Sequence, residues 1–164
     1  MGRVVVFILF ILGLVSQAYG LEAPTSNPIV TVTGKITQSN SPEGVELDLE
    51  MLEALPQHTL VTATPWYRDV RSFRGPLLRD VLKLVGAKGD RLIVTALNDY
   101  QSEAPIQDSL QYPVILALSM NGKPLSVRDK GPSFIVYPFD QHPELKSDSI
   151  YTRCVWQIKT IHLE

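Results

Sequence analysis

The chain has one cysteine among 164 residues. That excludes an internal disulfide and any zinc site built on several cysteines. It has no basic excess: 15 Lys and Arg stand against 17 Asp and Glu, a formal net charge of −2. Dedicated nucleic-acid binders carry a large positive surplus, so no nucleic-acid partner is expected. The histidines, His58, His142 and His162, lie far apart and lack metal-ligand spacing. Glycine-rich phosphate loops are missing, since Gly86 and Gly89 stand alone, and there is no Gly-x-Ser-x-Gly elbow. Internal repeats and low-complexity segments are missing too. With 45% hydrophobic and 20% charged residues, the composition is that of a folded protein and excludes disorder.

Long hydrophobic runs are also scarce. The run at residues 4–15 has twelve apolar or glycine residues, short of the ~20 that a membrane-spanning helix needs. Arg3 precedes it, and Ser16 to Gly20 follows with small residues at Ala18 and Gly20. This is the three-part pattern of a secretory signal peptide. The expected organisation is a signal peptide over residues 1–20 and one domain over 21–164, exported to the periplasm.

Residues 21–28 read as a flexible lead-in rich in Pro, Ser, Thr and Asn. Strands are expected over 29–37, 45–47, 58–64, 91–97, 114–120, 133–137 and, alternating, 153–163. Asp48 suits the cap of a short helix that ends before Pro56. The clearest helix is 76–85, with apolar residues at helical spacing, Pro76 in its first turn and Gly86 as its stop. Residues 106–110 suit a helical turn, and Asn121-Gly122 marks a hairpin. Residues 66–74 and 138–149 read as loops. The sum is an α+β domain of mixed β-sheets with few short helices. Cys154, inside the predicted last strand, reads as a small buried hydrophobe.

Three segments carry more polar and aromatic residues than a core needs. They are Thr62-Ala63-Thr64-Pro65-Trp66-Tyr67-Arg68 with Phe73-Arg74-Gly75 beyond it, then Asn98-Asp99-Tyr100, then Asp129-Lys130-Gly131-Pro132 with Tyr137-Pro138. Arg68, Arg71, Arg74 and Arg79 make a local basic patch, a pattern that is usually a solvated face.

In order and spacing these segments resemble the sulfite oxidase family of molybdopterin-dependent oxidoreductases. Thr62 to Trp66 resembles its Cys-x-x-x-Trp stretch, and Phe73-Arg74-Gly75-Pro76-Leu77 its aromatic-x-Gly element and helix. Asn98-Asp99-Tyr100 resembles an Asp-Gly-Tyr strand end. Leu116-Ala117-Leu118, then Asn121-Gly122-Lys123-Pro124-Leu125 and Gly131-Pro132, resemble its Leu-Ala…Asn-Gly-x-Pro-Leu…Gly-x-Pro run. The resemblance covers residues 45–164 and implies a sulfite-oxidase-like, molybdopterin-binding-domain fold.

One departure decides the functional expectation. In the family's enzymes a cysteine thiolate, a soft ligand, binds molybdenum. The matching position here is Thr62, whose hydroxyl does not replace a thiolate. The chain also lacks the basic residues that hold the molybdopterin phosphate. It thus resembles a small, exported, cysteine-less branch of the fold. The resemblance implies a pterin as ligand, no metal and no catalytic residue. It also implies a partner, the extracytoplasmic domain of a membrane-bound signalling protein such as a cyclic-di-GMP enzyme.

A pterin is a flat heterocycle with purine-like edges, so it needs an aromatic plane and a carboxylate or amide facing its edge. Trp66, Tyr100, Tyr137 and Trp156 are the stacking candidates. Asp99 is the candidate for the amino-pyrimidine edge, with Asn98 and Thr64 as neutral partners. Thr62 and Arg153 complete the candidate ligand-binding set. Both tryptophans also fit as core aromatics, and Asp99 as a turn residue. Two other functions remain open at this stage. One is a molybdopterin-dependent oxidoreductase or a subunit of one; the other is an interaction domain that has lost the pocket.

Overall fold

Valine and threonine alternate from residue 30 and set the first strand, β1 (Val30–Gly34), with Val30 and Val32 buried and the threonines half-buried on the other face. The structure, a computed structural model, describes residues 20–164. Apart from Gly20, the expected signal peptide lies outside the described residues. β2 (Val45–Leu47) pairs antiparallel with β1. Asp48 then caps α1 (Leu49–Glu53), accepting from the Met51 N–H at 3.0 Å. Its second oxygen accepts from the N–H groups of Thr25 at 2.8 Å and Ser26 at 3.0 Å. The lead-in read as flexible is therefore pinned at these two residues. These bonds, the one from Met51 foremost, favour the ionised form and hold Asp48 at about 2.

β3 (Gln57–Thr62) and β4 (Arg71–Pro76) pair antiparallel, with Leu60 opposite Phe73. The sequence predicts an irregular loop over 66–74, but β4 already begins at Arg71. Phe73 and Gly75 face inward there while Arg74 faces water, so a charged run still makes a strand. A Cβ on Gly75 would run into the carbonyl oxygen of Leu116, so only glycine fits that crossing. Pro76 ends the strand instead of starting the helix. Leu77 takes the N-cap position of α2 (Leu78–Leu84), which buries Leu78, Val81 and Leu82. Gly86, at φ 65°, stops the chain beyond α2 as the sequence predicts.

β5 (Arg91–Ala96) and β6 (Gln101–Pro105) form a hairpin. The run Gln-Ser-Glu-Ala-Pro carries no strand signature. It is a sheet edge with only Ala104 buried, and its pairing comes from β5. α3 (Ile106–Gln111) follows. The buried strand predicted over 114–120 is two, β7 (Ile115–Ala117) and β8 (Ser119–Met120), because the chain changes partner at Leu118. Asn121 and Gly122, at φ 50° and 75°, turn the chain into β9 (Lys123–Pro124). β10 (Phe134–Val136) pairs antiparallel with β7. The stretch read as loop, 138–149, ends in the start of a helical turn, α4 (Asp148–Tyr151). The closing strand β11 (Ile158–Leu163) is shorter than predicted, because Gln157 at φ 53° breaks the extended run. Cys154 therefore lies in an irregular segment, not in a strand.

The larger sheet runs β2-β1-β11-β5-β6, with β1 and β11 parallel and the other neighbours antiparallel. A second sheet runs β3-β4-β8-β9, and β10-β7 is a separate pair. Phe73, Leu116, Phe134, Ile135 and Ile158 belong to one buried core shared by these sheets. Mixed sheets with short helices are the α+β arrangement expected from the sequence.

Candidate functional site

Where β5 ends and the 148–157 segment crosses it, the surface opens into a cleft of about 510 Å³. That volume lies within the range of small-molecule sites. Trp66, Tyr151 and Trp156 form its aromatic walls, with Ala96, Cys154 and Val155 as apolar lining. Asn98, Tyr100, Asp148 and Thr152 supply the polar groups. Trp66 meets Trp156 edge-to-face at 5.5 Å, Tyr151 at 6.2 Å and Phe134 at 5.6 Å. Each contact is near-perpendicular, the arrangement aromatic quadrupoles favour. Trp66 is thus held by the core on one side and faces the cleft on the other. Lys130 Nζ sits 3.8 Å from the centroid of the Trp156 ring.

The polar groups are placed by short-range geometry. Asn98 Oδ1 accepts from the Tyr100 N–H at 3.2 Å, a local side-chain turn that follows β5. Tyr100 in turn donates its hydroxyl to the Thr152 carbonyl at 3.4 Å. Asp148 and Tyr151 sit three apart in α4, so one short helix aims a carboxylate and a phenol at the same space. Cys154 is 2% exposed, with Sγ 3.7 Å from the Ile150 carbonyl oxygen. Burial pushes its thiol well above the ordinary range, so the neutral form is held.

Of the residues singled out from sequence, the structure brings Trp66, Asn98, Tyr100 and Trp156 together in this cleft. The others lie elsewhere, each for a physical reason. Thr62 is fully buried, its hydroxyl donating to the Ala63 carbonyl at 3.2 Å and accepting from the Asp140 N–H at 3.1 Å. Thr64 is buried and is not part of the cleft wall. Tyr137 is 1% exposed and donates to Asp108 Oδ2 at 2.8 Å, so it is a core residue with its polar end satisfied. Burial first, then the Asp108 charge, pushes its hydroxyl far up. Arg153 donates to the same Asp108 oxygen at 2.7 Å, and the surface it lines is beside Glu103 and Pro105. Asp99, at φ 62°, turns its side chain into water, 83% exposed and 3.8 Å from Lys159.

The sequence reading missed Asp148, Tyr151 and Thr152. A usable signal was present: Ser147 is an N-cap residue type and stands at that position, though its hydroxyl pairs with Ser149 instead of capping, and a helix begun there puts Asp148 and Tyr151 on one face. Among the described residues, no cluster of three His, Cys, Asp or Glu is placed to hold a metal ion. No described helix is long and apolar enough to cross a membrane.

The sequence profile of a family described as "oxidoreductase molybdopterin binding domain" matches residues 29–138. The match ends before Asp148, Tyr151 and Trp156, so one wall of the cleft lies beyond it. No curated protein sequence matches the chain. Among solved structures, the fold is similar to that of the sulfane dehydrogenase SoxCD from Paracoccus pantotrophus, with a TM-score of 0.61 at 15% identity. The alignment covers 88% of this chain and 40% of that one. The chain therefore spans well under half the length of that relative, and the likeness speaks for the fold.

Proposed function

The chain belongs to the oxidoreductase molybdopterin-binding domain family, and from that membership we propose that it is an exported pterin-binding module that catalyses no reaction. The observation that carries the reading is the cleft itself. Aromatic walls from Trp66, Tyr151 and Trp156 suit a flat heterocycle. Asp148 is the one carboxylate in the lining, and it suits the amino-pyrimidine edge as a charged acceptor. Asn98 and Thr152 supply neutral donors and acceptors beside it.

The residues present fit a pterin but do not fit molybdenum at the expected position. Thr62 is a buried hydroxyl committed to Ala63 and Asp140, and a hard, neutral oxygen is a poor substitute for a soft thiolate. The proposed role is to report the ligand to the extracytoplasmic domain of a membrane-bound signalling protein, such as a cyclic-di-GMP enzyme. Binding signals only if the ligand favours one conformation or complex over another. Leu97 and Val127, 51% and 55% exposed, support a contact face beside the cleft. Both backbones hydrogen-bond Gln157, the residue after Trp156. The leader-like run at residues 4–15 supports export to the periplasm.

One observation favours a molybdopterin-dependent oxidoreductase, or a subunit of one, as the second reading: Cys154 lines the cleft. Its thiol is held neutral by burial, which opposes thiolate ligation. Denaturing the protein purified from its periplasm and analysing the released small molecules by fluorescence and mass spectrometry, with metal analysis in parallel, separates the two. A stoichiometric pterin without molybdenum is the expected result. Molybdenum at one equivalent supports the oxidoreductase, and protein that neither carries nor takes up a pterin overturns the binding module.

A further inference from the structure

The edges of the two larger sheets are β2, β6, β3 and β9, and three of them are guarded. β2 has three residues and β9 two, a lysine and a proline, while β6 carries Glu103 and Pro105. Short length, charge and proline keep a strand edge from pairing with other chains. β3 has none of these guards: its six residues, Gln57 to Thr62, include no Asp, Glu, Lys, Arg or Pro.

The register shows which backbone groups of β3 face away from its neighbour. Ser72 and Arg74 of β4 spend theirs on the far side, their carbonyls accepting from the Asn121 N–H at 2.7 Å and the Leu118 N–H at 2.8 Å. Bonding directions alternate along antiparallel strands, so Arg71, Phe73 and Gly75 bond to β3 through their partners Thr62, Leu60 and His58. Thr59 and Val61 therefore point their N–H and C=O groups outward, and among the described residues no backbone group bonds them there. The next outward N–H, that of Ala63, is taken by Asp140 Oδ2 at 2.7 Å, and the same carboxylate pairs with Lys146. The open stretch thus ends at Val61.

The side chains beside this stretch are open as well. Val61 is 54% exposed, and Val70, just before β4, is 55% exposed. Arg74 stands opposite Thr59, faces water, and among the described residues has no carboxylate within ion-pair distance. We propose that β3 is a docking edge for an extended segment of another protein, which adds a strand to the β3-β4-β8-β9 sheet. The outward groups of Thr59 and Val61 supply the backbone hydrogen bonds, and side chains on alternate residues of the segment give selectivity. The segment carries an acidic side chain across Thr59, within reach of Arg74, and an apolar one beside Val61. A second copy of this chain is the poorer occupant, because its β3 has no carboxylate and its Arg74 approaches with the same sign. The inference is independent of what the cleft holds.

The test is an NMR titration of the purified chain, with amide exchange read alongside. The probes are the peptide Ser-Thr-Val-Thr-Glu-Thr-Ser and the same peptide with lysine in place of glutamate. In the free protein the Thr59 and Val61 amides are expected to exchange fast and the Leu60 amide slowly. The glutamate peptide is expected to protect Thr59 and Val61 and to bind at least about ten times more tightly than the lysine peptide, an ion-pair preference that Arg74→Gln should cut at least threefold. Val61→Pro removes an outward N–H without breaking a bond to β4, so binding should be lost while the fold stays. Thr59→Pro does the same and decides the matter if the first variant does not fold. No binding, equal binding of the two peptides, or binding that leaves the Thr59 and Val61 amides unprotected overturns the proposal. So does protection of those amides that rises with protein concentration alone, which would assign the edge to a second copy.

Discussion

Tyr100 and Thr152 hydrogen-bond across the mouth of the cleft, hydroxyl to carbonyl, at 3.4 Å. The bond ties the loop after β5 to the end of α4, two segments 52 residues apart in sequence. The cleft thus has two sides fastened at one rim, and the fastening residue is also a ring available for stacking.

Tyr100→Phe keeps the ring and removes the fastening. It is expected to weaken pterin binding by about 0.5 kcal/mol, the low end for a hydrogen bond of this length. Tyr100→Ala also removes the ring and is expected to lose a further ~1–3 kcal/mol of stacking. Titration calorimetry on both variants reads the difference. A Phe variant as weak as the Ala variant would show that the ring contributes nothing.

Asp148→Asn replaces the charged acceptor in the cleft by a neutral amide. The expected loss in pterin affinity is about 1.5–3 kcal/mol, the range for a hydrogen bond to a charged group. Asp99→Asn is the control, since that side chain is 83% exposed and outside the cleft lining. It is expected to change affinity by less than about 0.5 kcal/mol. Equal losses from the two variants would remove Asp148 from its assigned place.

Asp48 predicts an acid-sensitive fold. Its folded pKa is lowered to about 2 from an ordinary 3.8. A lowered carboxylate stabilises the fold above the ordinary value, and that contribution is lost as pH falls toward the folded one. Urea midpoints are therefore expected to drop between pH 4 and 2. In Asp48→Asn the drop over that window is expected to be shallower, from a lower starting midpoint at pH 6. A variant with an unchanged slope would assign the acid sensitivity to other carboxylates.

Cys154 is expected to resist alkylation. Its thiol is 2% exposed and pushed up by burial, and the thiolate is the reactive form. Iodoacetamide at pH 8 should label it quickly in urea and slowly in buffer, as mass spectrometry would report. Rapid labelling of the native protein would mean that the cleft floor opens readily.

What the sequence made legible was mostly local. Asp48 as a cap, the apolar spacing of α2 and the Asn121-Gly122 turn depend on neighbours a few residues away, and each was readable. β6 was not, because Gln101 to Pro105 is a strand only through its pairing with β5. The break at Gln157 was hidden for the opposite reason: the alternation from 153 to 163 continues through a residue whose backbone turns left-handed. The site follows the same division. Trp66, Asn98, Tyr100 and Trp156 stand near strand ends, where sequence points to them. Tyr137 carries the same chemistry, but it lies one residue past β10 and turns into the core toward Asp108. Asp148 and Tyr151 needed a helix of four residues to be recognised first.

Asp108 accepts from Tyr137 and Arg153 through the same oxygen. The residue after Arg153 is Cys154, on the cleft floor, so the 148–157 wall is moored to α3 by one carboxylate that is only 14% exposed. Sliding that wall would break the Arg153 bond and leave Asp108 held by Tyr137 alone. The Arg153 bond thus keeps the wall of the cleft in register with α3, so the spacing of the cleft is set from the core side rather than by the loops at its rim.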